Sequence, residues 1–308
     1  MELHVWGTTD QLAILDADCL AATWYMALAV PHTDFTIVTS SNTDLSSSGR
    51  LPVLTHSEGQ ADGFLDIIRF LRTKGYDLAA DESLTKEQTA INYGLLMYVQ
   101  DKLELITEYT LYLNKDNYEK YTRSIYSLYL PFPMQYNTPL QYRSHARANC
   151  ARIGLKVEDK TDVEEEMLKN VPTVSKVQQL KHDNMIEEKL VLKNSVTNMK
   201  CINQLQESIR VINQLQLELG SHPVDNIFST TTMTSSDLLL LAHLYIITHK
   251  DLPDQFIRSF LQRTSPEILA RVDQNLKVVQ DAISKIQRRG PTFWESPNIV
   301  NAVRHLVV

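Results

Sequence analysis

The chain has 308 residues, 43% hydrophobic and 22% charged, enough to bury one or two ordinary cores without disulfide support. Its 30 basic against 37 acidic side chains give a net charge of −7, which supplies no phosphate-neutralising surface and argues against a general nucleic-acid binder. Nine glycines and 11 prolines disfavour collagen-like, linker-rich and Gly-loop architectures, and the three widely spaced cysteines, Cys19, Cys150 and Cys201, suggest neither a disulfide framework nor a zinc cage.

No cleavable targeting pattern is visible at Met1–His4, and the longest apolar run, Leu238–Ile247, is far shorter than the roughly 18 to 20 residues of a membrane span. Leu3–Gly7 alternates apolar and polar residues and reads as a short half-buried strand. Asp16 or Asp18 then caps a helix over Asp18–Val30, with Leu20, Trp24 and Leu28 at four-residue steps. Phe35–Val38 is a β-branched second strand. Within Arg50–Leu54, Pro52 lacks the N–H a central strand needs and marks a strand start or a special turn. Asp62 heads a helix whose stripe is Phe64, Ile67, Ile68 and Leu71.

After Tyr76 the pattern becomes one of long helices. Thr85 and Gln88 form a capping-box spacing, and Ile91, Leu95, Val99, Leu103, Ile106, Thr110 and Leu113 mark one helical face. A helix over Asp116–Leu128 is stopped by Pro131, Pro133 and Pro139, the last opening a helix to about Gly154. Residues 156–175 are charged and read as a solvated loop or insertion. Leu192, Val196, Met199, Ile202, Leu205, Ile209, Ile212, Leu215 and Leu219 predict a long amphipathic helix ended by Gly220 and Pro223. Thr234 and Asp237 form a second capping box, with Met233 and Leu238 as a hydrophobic staple, ahead of a helix to Thr248. Helices also fit Pro253–Arg263 and Ser265–Gln287, leaving Pro291–Val308 as a tail.

A small β-α-β domain with Leu51-Pro52-Val53-Leu54 before its next strand, followed by helices and a late Ser/Thr-x-x-Asp box, resembles the glutathione-transferase fold. The wording of Val5-Trp6-Gly7, Asp16–Ala21, Ser41–Leu54 and Phe132–Leu140 resembles the metaxin-like subunits of the fungal mitochondrial outer-membrane sorting and assembly machinery. The likeness covers most of residues 1–155 and returns at Ser235–Tyr245, with 156–230 divergent. It implies an α+β to mainly α fold, with a thioredoxin-like domain at 1–81 and a helical domain at 82–308. It also implies a noncatalytic peripheral subunit, on the cytosolic face of the outer membrane, that takes part in folding, inserting and releasing β-barrel precursors. The implied partners are a membrane-embedded β-barrel insertase subunit, a second glutathione-transferase-like receptor subunit and the general outer-membrane import translocase.

The resemblance also points to where transferase chemistry would sit. Active members activate the glutathione thiol with a hydroxyl or thiol near the end of the first strand, where this chain has Thr8 and Thr9, residues that equally cap loops. They cradle the γ-glutamyl carboxylate at a Glu-Ser before the last helix of the small domain, where this chain has Asp62-Gly63. Pro52 is expected cis. The cysteines read as packed thiols and His243 as a hydrogen-bonded core residue, and no metal or cofactor motif is present. A divergent glutathione transferase and a cytosolic adaptor of the same fold are the alternatives.

Ten of the thirteen tyrosines lie between Tyr93 and Tyr142, which suits helix packing or an interface. The segment Pro131, Phe132, Pro133, Met134 and Tyr136 is a proline-stiffened apolar loop that fits an interface and buried core equally well. Arg143 and Arg147, with His145 and Arg152, make a locally basic helix suited to an acidic partner, lipid headgroups or plain solvation.

Overall fold

The computed structural model describes residues 1–157, 176–221, 226–298 and 300–301. Strands β1 (Glu2–His4) and β2 (Thr36–Val38) pair in parallel, with Leu3 opposite Ile37, both fully buried. The chain crosses between them through α1 (Ala17–Ala29), capped by Asp16, whose Oδ1 accepts from the Cys19 N–H at 2.7 Å. Pro52 follows a cis peptide and leads into β3 (Val53–His56), antiparallel to β1.

Two strands fall outside the sequence reading. The edge strand β4 (Gly59–Asp62) pairs with β3, but its single apolar residue, Ala61, gives no alternation to read. On the opposite edge, β5 (Arg288–Arg289) pairs with β2, giving the sheet order β4-β3-β1-β2-β5. Two residues carry no periodicity, so this strand exists only through its partner. The return of residues 288–289 ties the C-terminal part of the chain to the first sheet.

Asp62 precedes α2 (Gly63–Thr73) but makes no side-chain cap. Its carboxylate instead accepts from the backbone N–H of Ser47 at 2.8 Å and from the hydroxyls of Ser46 and Ser47. A short helix α3 (Ala79–Glu82) then carries the buried Asp81, which accepts from Arg72 at 2.7 Å, Asn92 at 3.0 Å and the Ser235 N–H at 3.2 Å. One carboxylate thus joins elements far apart in the chain with a partner on each oxygen; burial still raises Asp81 above the ordinary aspartate value, with Arg72 and Ser235 opposing that shift.

The capping box of α4 (Lys86–Glu108) forms between Thr85 and Gln88. The straight face drawn through Leu113 does not persist: a buried π-helical turn occupies Tyr109–Leu113, and the chain turns at Asn114. A short α5 (Lys115–Asn117), a second π turn at Tyr118–Thr122 and α6 (Arg123–Tyr129) follow. The Thr122 hydroxyl donates to the Leu111 carbonyl at 2.6 Å, bonding the two widened turns to each other.

Helix α7 (Met134–Arg152) begins at Met134, not Pro139, after a cis Phe132–Pro133 peptide. Pro139 lies buried inside it, where it forfeits only the bond to the Gln135 carbonyl. The charged insertion expected at 156–175 lies outside the described residues from 158 onward, as does much of the tail. In α8 (Lys176–Glu218) the buried residues are Thr197, Cys201, Ile202, Leu205, Ser208, Ile212 and Gln216. Leu192, Val196 and Met199, assigned inward from their apolar spacing, are exposed. From Ile202 onward the apolar stripe does face inward, with Ile202, Leu205 and Ile212 buried and Ile209, Leu215 and Leu219 packed against the core, while Thr197, Ser208 and Gln216 add polar members that apolar spacing does not mark.

The second capping box forms at Thr234 and Asp237, heading α9 (Ser235–Ile247). Nearly every residue of α9 is buried, and it packs against both α1 and α4 as a shared spine. Arg271, on α11 (Pro266–Ser284), donates to Asp237 at 2.8 Å, after the intervening α10 (Phe256–Thr264).

Candidate functional site

At the end of β1, Gly7 sits at φ +153°, and a Cβ there would lie 2.7 Å from the Gln11 carbonyl, so the tight turn requires glycine. The Thr8 N–H donates to that carbonyl at 2.8 Å, and the Thr8 hydroxyl accepts from the Gln11 N–H at 3.3 Å. Thr8 therefore closes its own loop.

The N-terminus of α2, where a carboxylate ligand would be cradled, is also engaged. The Gly63 N–H donates to the Pro52 carbonyl at 2.9 Å, and the Phe64 N–H bonds Asp18. Asp18 further accepts from the Gln100 amide at 3.2 Å. An internal carboxylate thus sits at the helix terminus that would receive an external one.

Asp18 belongs to a group of acids that sequence spacing scatters and the fold gathers: Asp16, Asp18, Glu104 and Glu108, with Arg50 3.8 Å from Glu104. Burial, then the neighbouring Asp16 charge, pushes Asp18 up to about 7. Burial likewise raises Asp16 and Glu104. Glu108 accepts two bonds from Asn149, at 3.0 and 3.1 Å. Burial, reinforced by Asp16, holds the Cys19 thiol well above its ordinary value, so it stays a thiol rather than a thiolate. Cys150 is pushed up to about 12, and all three cysteines are free and buried.

His243 is fully buried with Nδ1 2.9 Å from the Thr107 hydroxyl, and burial pulls it down to about 3, a neutral core imidazole. Among the described residues one cluster has metal-ligand spacing, Glu2, His4 and Glu295. Arg289 donates to both carboxylates at 2.7 Å, so the chain's own guanidinium already supplies their counter-charge.

The tyrosine-rich segment divides. Tyr112 and Tyr126 are buried, bonded hydroxyl to hydroxyl at 2.8 Å; Tyr126 and Tyr142 pack edge to face on Trp6, and Tyr112 stacks on Tyr142. The corner between α6 and α7 is built oppositely: Phe132 is 75% exposed and Tyr136 52%, their rings edge to face at 6.2 Å. Pro131 is exposed, while Pro133 and Met134 are half-buried, Met134 packing on the core. Arg143 is half-buried with its guanidinium 4.4 Å from the Tyr118 ring, and Arg147 is exposed. Leu128 and Leu140, not singled out from sequence, are exposed at the same corner. Once α7 is known to start at Met134, Tyr136, Leu140, Arg143 and Arg147 fall on one helical stripe. Among the described residues no helix is long and apolar enough to cross a membrane.

Comparison with known proteins agrees with this architecture. The family model described as Tom37, an outer mitochondrial membrane transport complex protein, matches residues 19–143, and that of the Tom37 C-terminal domain matches 156–308. The second match covers the stretch whose wording looked divergent. Mouse metaxin-1 (Mus musculus) is 30% identical over 176 residues, 56% of this chain and 52% of the relative. A Drosophila melanogaster metaxin-1 homolog is 28% identical over 165 residues, 53% and 49% of the two chains. Xenopus laevis metaxin-3 is 27% identical over 139 residues, 45% and 44%. The chain spans about half the length of the curated relatives it matches. With a small mixed sheet leading into a helical body of glutathione-transferase type, and two Tom37 models covering most of its length, the chain belongs to the Tom37/metaxin family of outer mitochondrial membrane proteins.

Proposed function

We propose that the protein is a noncatalytic, peripheral subunit of the outer-membrane sorting and assembly machinery, on the cytosolic face. In this role it supports folding, insertion and release of β-barrel precursors. Its partners are a membrane-embedded barrel insertase, a second transferase-like subunit and the general import translocase. A thioredoxin-like unit at 1–81 and a helical unit at 82–308 form the scaffold, with Pro52 shaping the turn into β3 and the α6–α7 corner as a contact surface.

The observation that carries this reading is that Asp18 bonds the N-terminal amide of α2, while the Thr8 hydroxyl closes its own turn. A transferase needs both features available to substrate. To test it, a tagged copy is purified from gently solubilised outer mitochondrial membranes, its partners are identified by mass spectrometry and the native mass is measured. Co-purification with a barrel insertase and another transferase-like subunit is the expected result. Recovery only as a monomer or dimer, with calorimetric binding of glutathione, would move the protein to the divergent-transferase reading.

A further inference from the structure

Beyond Ile286 the chain leaves the helical body and lies along the sheet, and it does so without a hydrophobic anchor. Among the described residues of this segment no leucine, isoleucine, valine or aromatic side chain joins the core: Phe293 and Trp294 are 59% exposed and Val300 55%. Polar contacts hold it instead. The carbonyls of Gln287 and Arg289 accept from the Ile37 and Thr39 N–H groups, both at 3.2 Å. Arg288 donates to the Asp10 carbonyl at 3.0 Å, and the Asn42 amide donates to the Ser296 carbonyl at 3.4 Å. Arg289 joins Glu2, on β1, to Glu295, within the segment, with a 2.7 Å bond to each. A piece fixed by a few partly solvated bonds opens at lower free energy than the core beneath it.

The strand under this segment is firm by comparison. Ile37 and Val38 of β2 are fully buried, and β2 pairs with β1 along its whole length. Closure also carries a cost. His4, 2% exposed, has a ring nitrogen within 4.8 Å of the Glu2 and Glu295 carboxylates, and its Nδ1 is buried with no hydrogen-bond partner. A polar atom in that state gains a bond from water once Glu295 moves away.

We propose that residues 287–298 are an autoinhibitory strap, which lifts while the rest of the fold stays closed, and that the bared edge of β2 takes an extended basic segment of another chain by strand addition. The strap itself is the template for what fits. A segment in its place needs carbonyls for the Ile37 and Thr39 N–H groups, one basic residue at the Asp10 carbonyl and a second at the Glu2 carboxylate. Glu2 stays on β1 when Glu295 leaves with the strap, so the open edge offers an acid to an incoming cation. Backbone pairing along the edge supplies affinity and the consecutive basic residues supply selectivity. The inference goes beyond the outer-membrane reading and does not depend on it.

Hydrogen exchange on the purified full chain reads the lifting. The Ile37 and Thr39 amides are expected to exchange at least about tenfold faster than the Val5 amide, which bonds the Val38 carbonyl at 3.0 Å inside the same sheet. Arg289→Gln, and separately Glu2→Gln, which cuts the same tie from the other side, speeds Ile37 and Thr39 by about fivefold. Both variants leave the Val5 amide and the circular dichroism melt unchanged. The probe for the edge is a labelled synthetic peptide of residues 284–296, added in trans. It binds the Arg289→Gln chain about fivefold more tightly than the wild type, because the competing strap is out of the way more often. The Glu2→Gln chain gains no such affinity, having lost the carboxylate, and a peptide with both arginines replaced by Gln binds at least about fivefold more weakly. Exchange of Ile37 and Thr39 in step with Val5, in wild type and variants alike, would overturn the strap. Fast exchange without peptide binding, or binding indifferent to the two arginines, would overturn the docking edge.

Discussion

The cleft under the N-terminus of α2 and the corner between α6 and α7 draw on similar raw material and use it in opposite ways. In the cleft, polar and acidic groups suited to a ligand bond to one another: Phe64 to Asp18, Gly63 to Pro52, Thr8 to Gln11. At the corner, aromatic and leucine side chains of the kind that pack around Trp6 have no interior to fill. A buried polar group must find a partner within the protein, and an exposed apolar cluster has its natural partner outside it. The site inherited by resemblance is therefore the closed one, and the site facing outward is one no catalytic motif marks.

The sharpest way to break this contrast is to truncate an aromatic on each side of it. Trp6 packs edge to face on Tyr126 at 5.4 Å and on Tyr142 at 6.4 Å. Trp6→Ala is expected to cost about 3–5 kcal/mol in a denaturant melt. A cost below about 1 kcal/mol would mean that this aromatic cluster is not part of the cooperative core.

A middle-sized effect tests how closed the cleft is. Asp18 is held at about 7 in the folded chain against an ordinary 3.8. Between those values the folded state keeps a proton that the unfolded chain has released, so wild-type stability falls as pH rises through that window and levels off above it. Asp18→Asn keeps an oxygen for the Phe64 N–H without the charge. Its advantage over the wild type is expected to grow from near zero at pH 4 to roughly 1–2 kcal/mol at pH 8. A difference independent of pH would show that Asp18 is solvated and the cleft open.

The smallest effect is the control on the corner. Phe132→Ser is expected to shift stability by less than about 0.5 kcal/mol, because an exposed side chain leaves no cavity. A loss comparable to that of Trp6→Ala would place Phe132 in the core and remove the contrast.

How far the sequence could be read depended on whether a feature was local. Both capping boxes, Thr85 with Gln88 and Thr234 with Asp237, form as their spacing indicated. So does the Asp16 cap of α1. The start of α7 was misplaced by five residues, because a proline near a helix N-terminus is tolerated at more positions than the first turn. The direction of α8 was misassigned at Leu192, Val196 and Met199, since periodicity identifies an apolar face without saying whether anything lies against it. The acids of the cleft were invisible as a group, being spread from Asp16 to Glu108.

By itself the sequence determined most of the helices, the caps at Asp16, Thr85 and Thr234, the first two strands and, through its distinctive wording, the family. These are properties of neighbours within a few residues, where spacing maps directly onto a turn or a pleat. Only the tertiary structure decided that Arg288 and Arg289 complete the sheet, that Asp18 takes the α2 terminus, and that Tyr126 is core while Phe132 is surface. The last pair are aromatics only six positions apart. What separates them is whether another part of the chain arrives to cover them, which is a long-range packing outcome that no local pattern encodes.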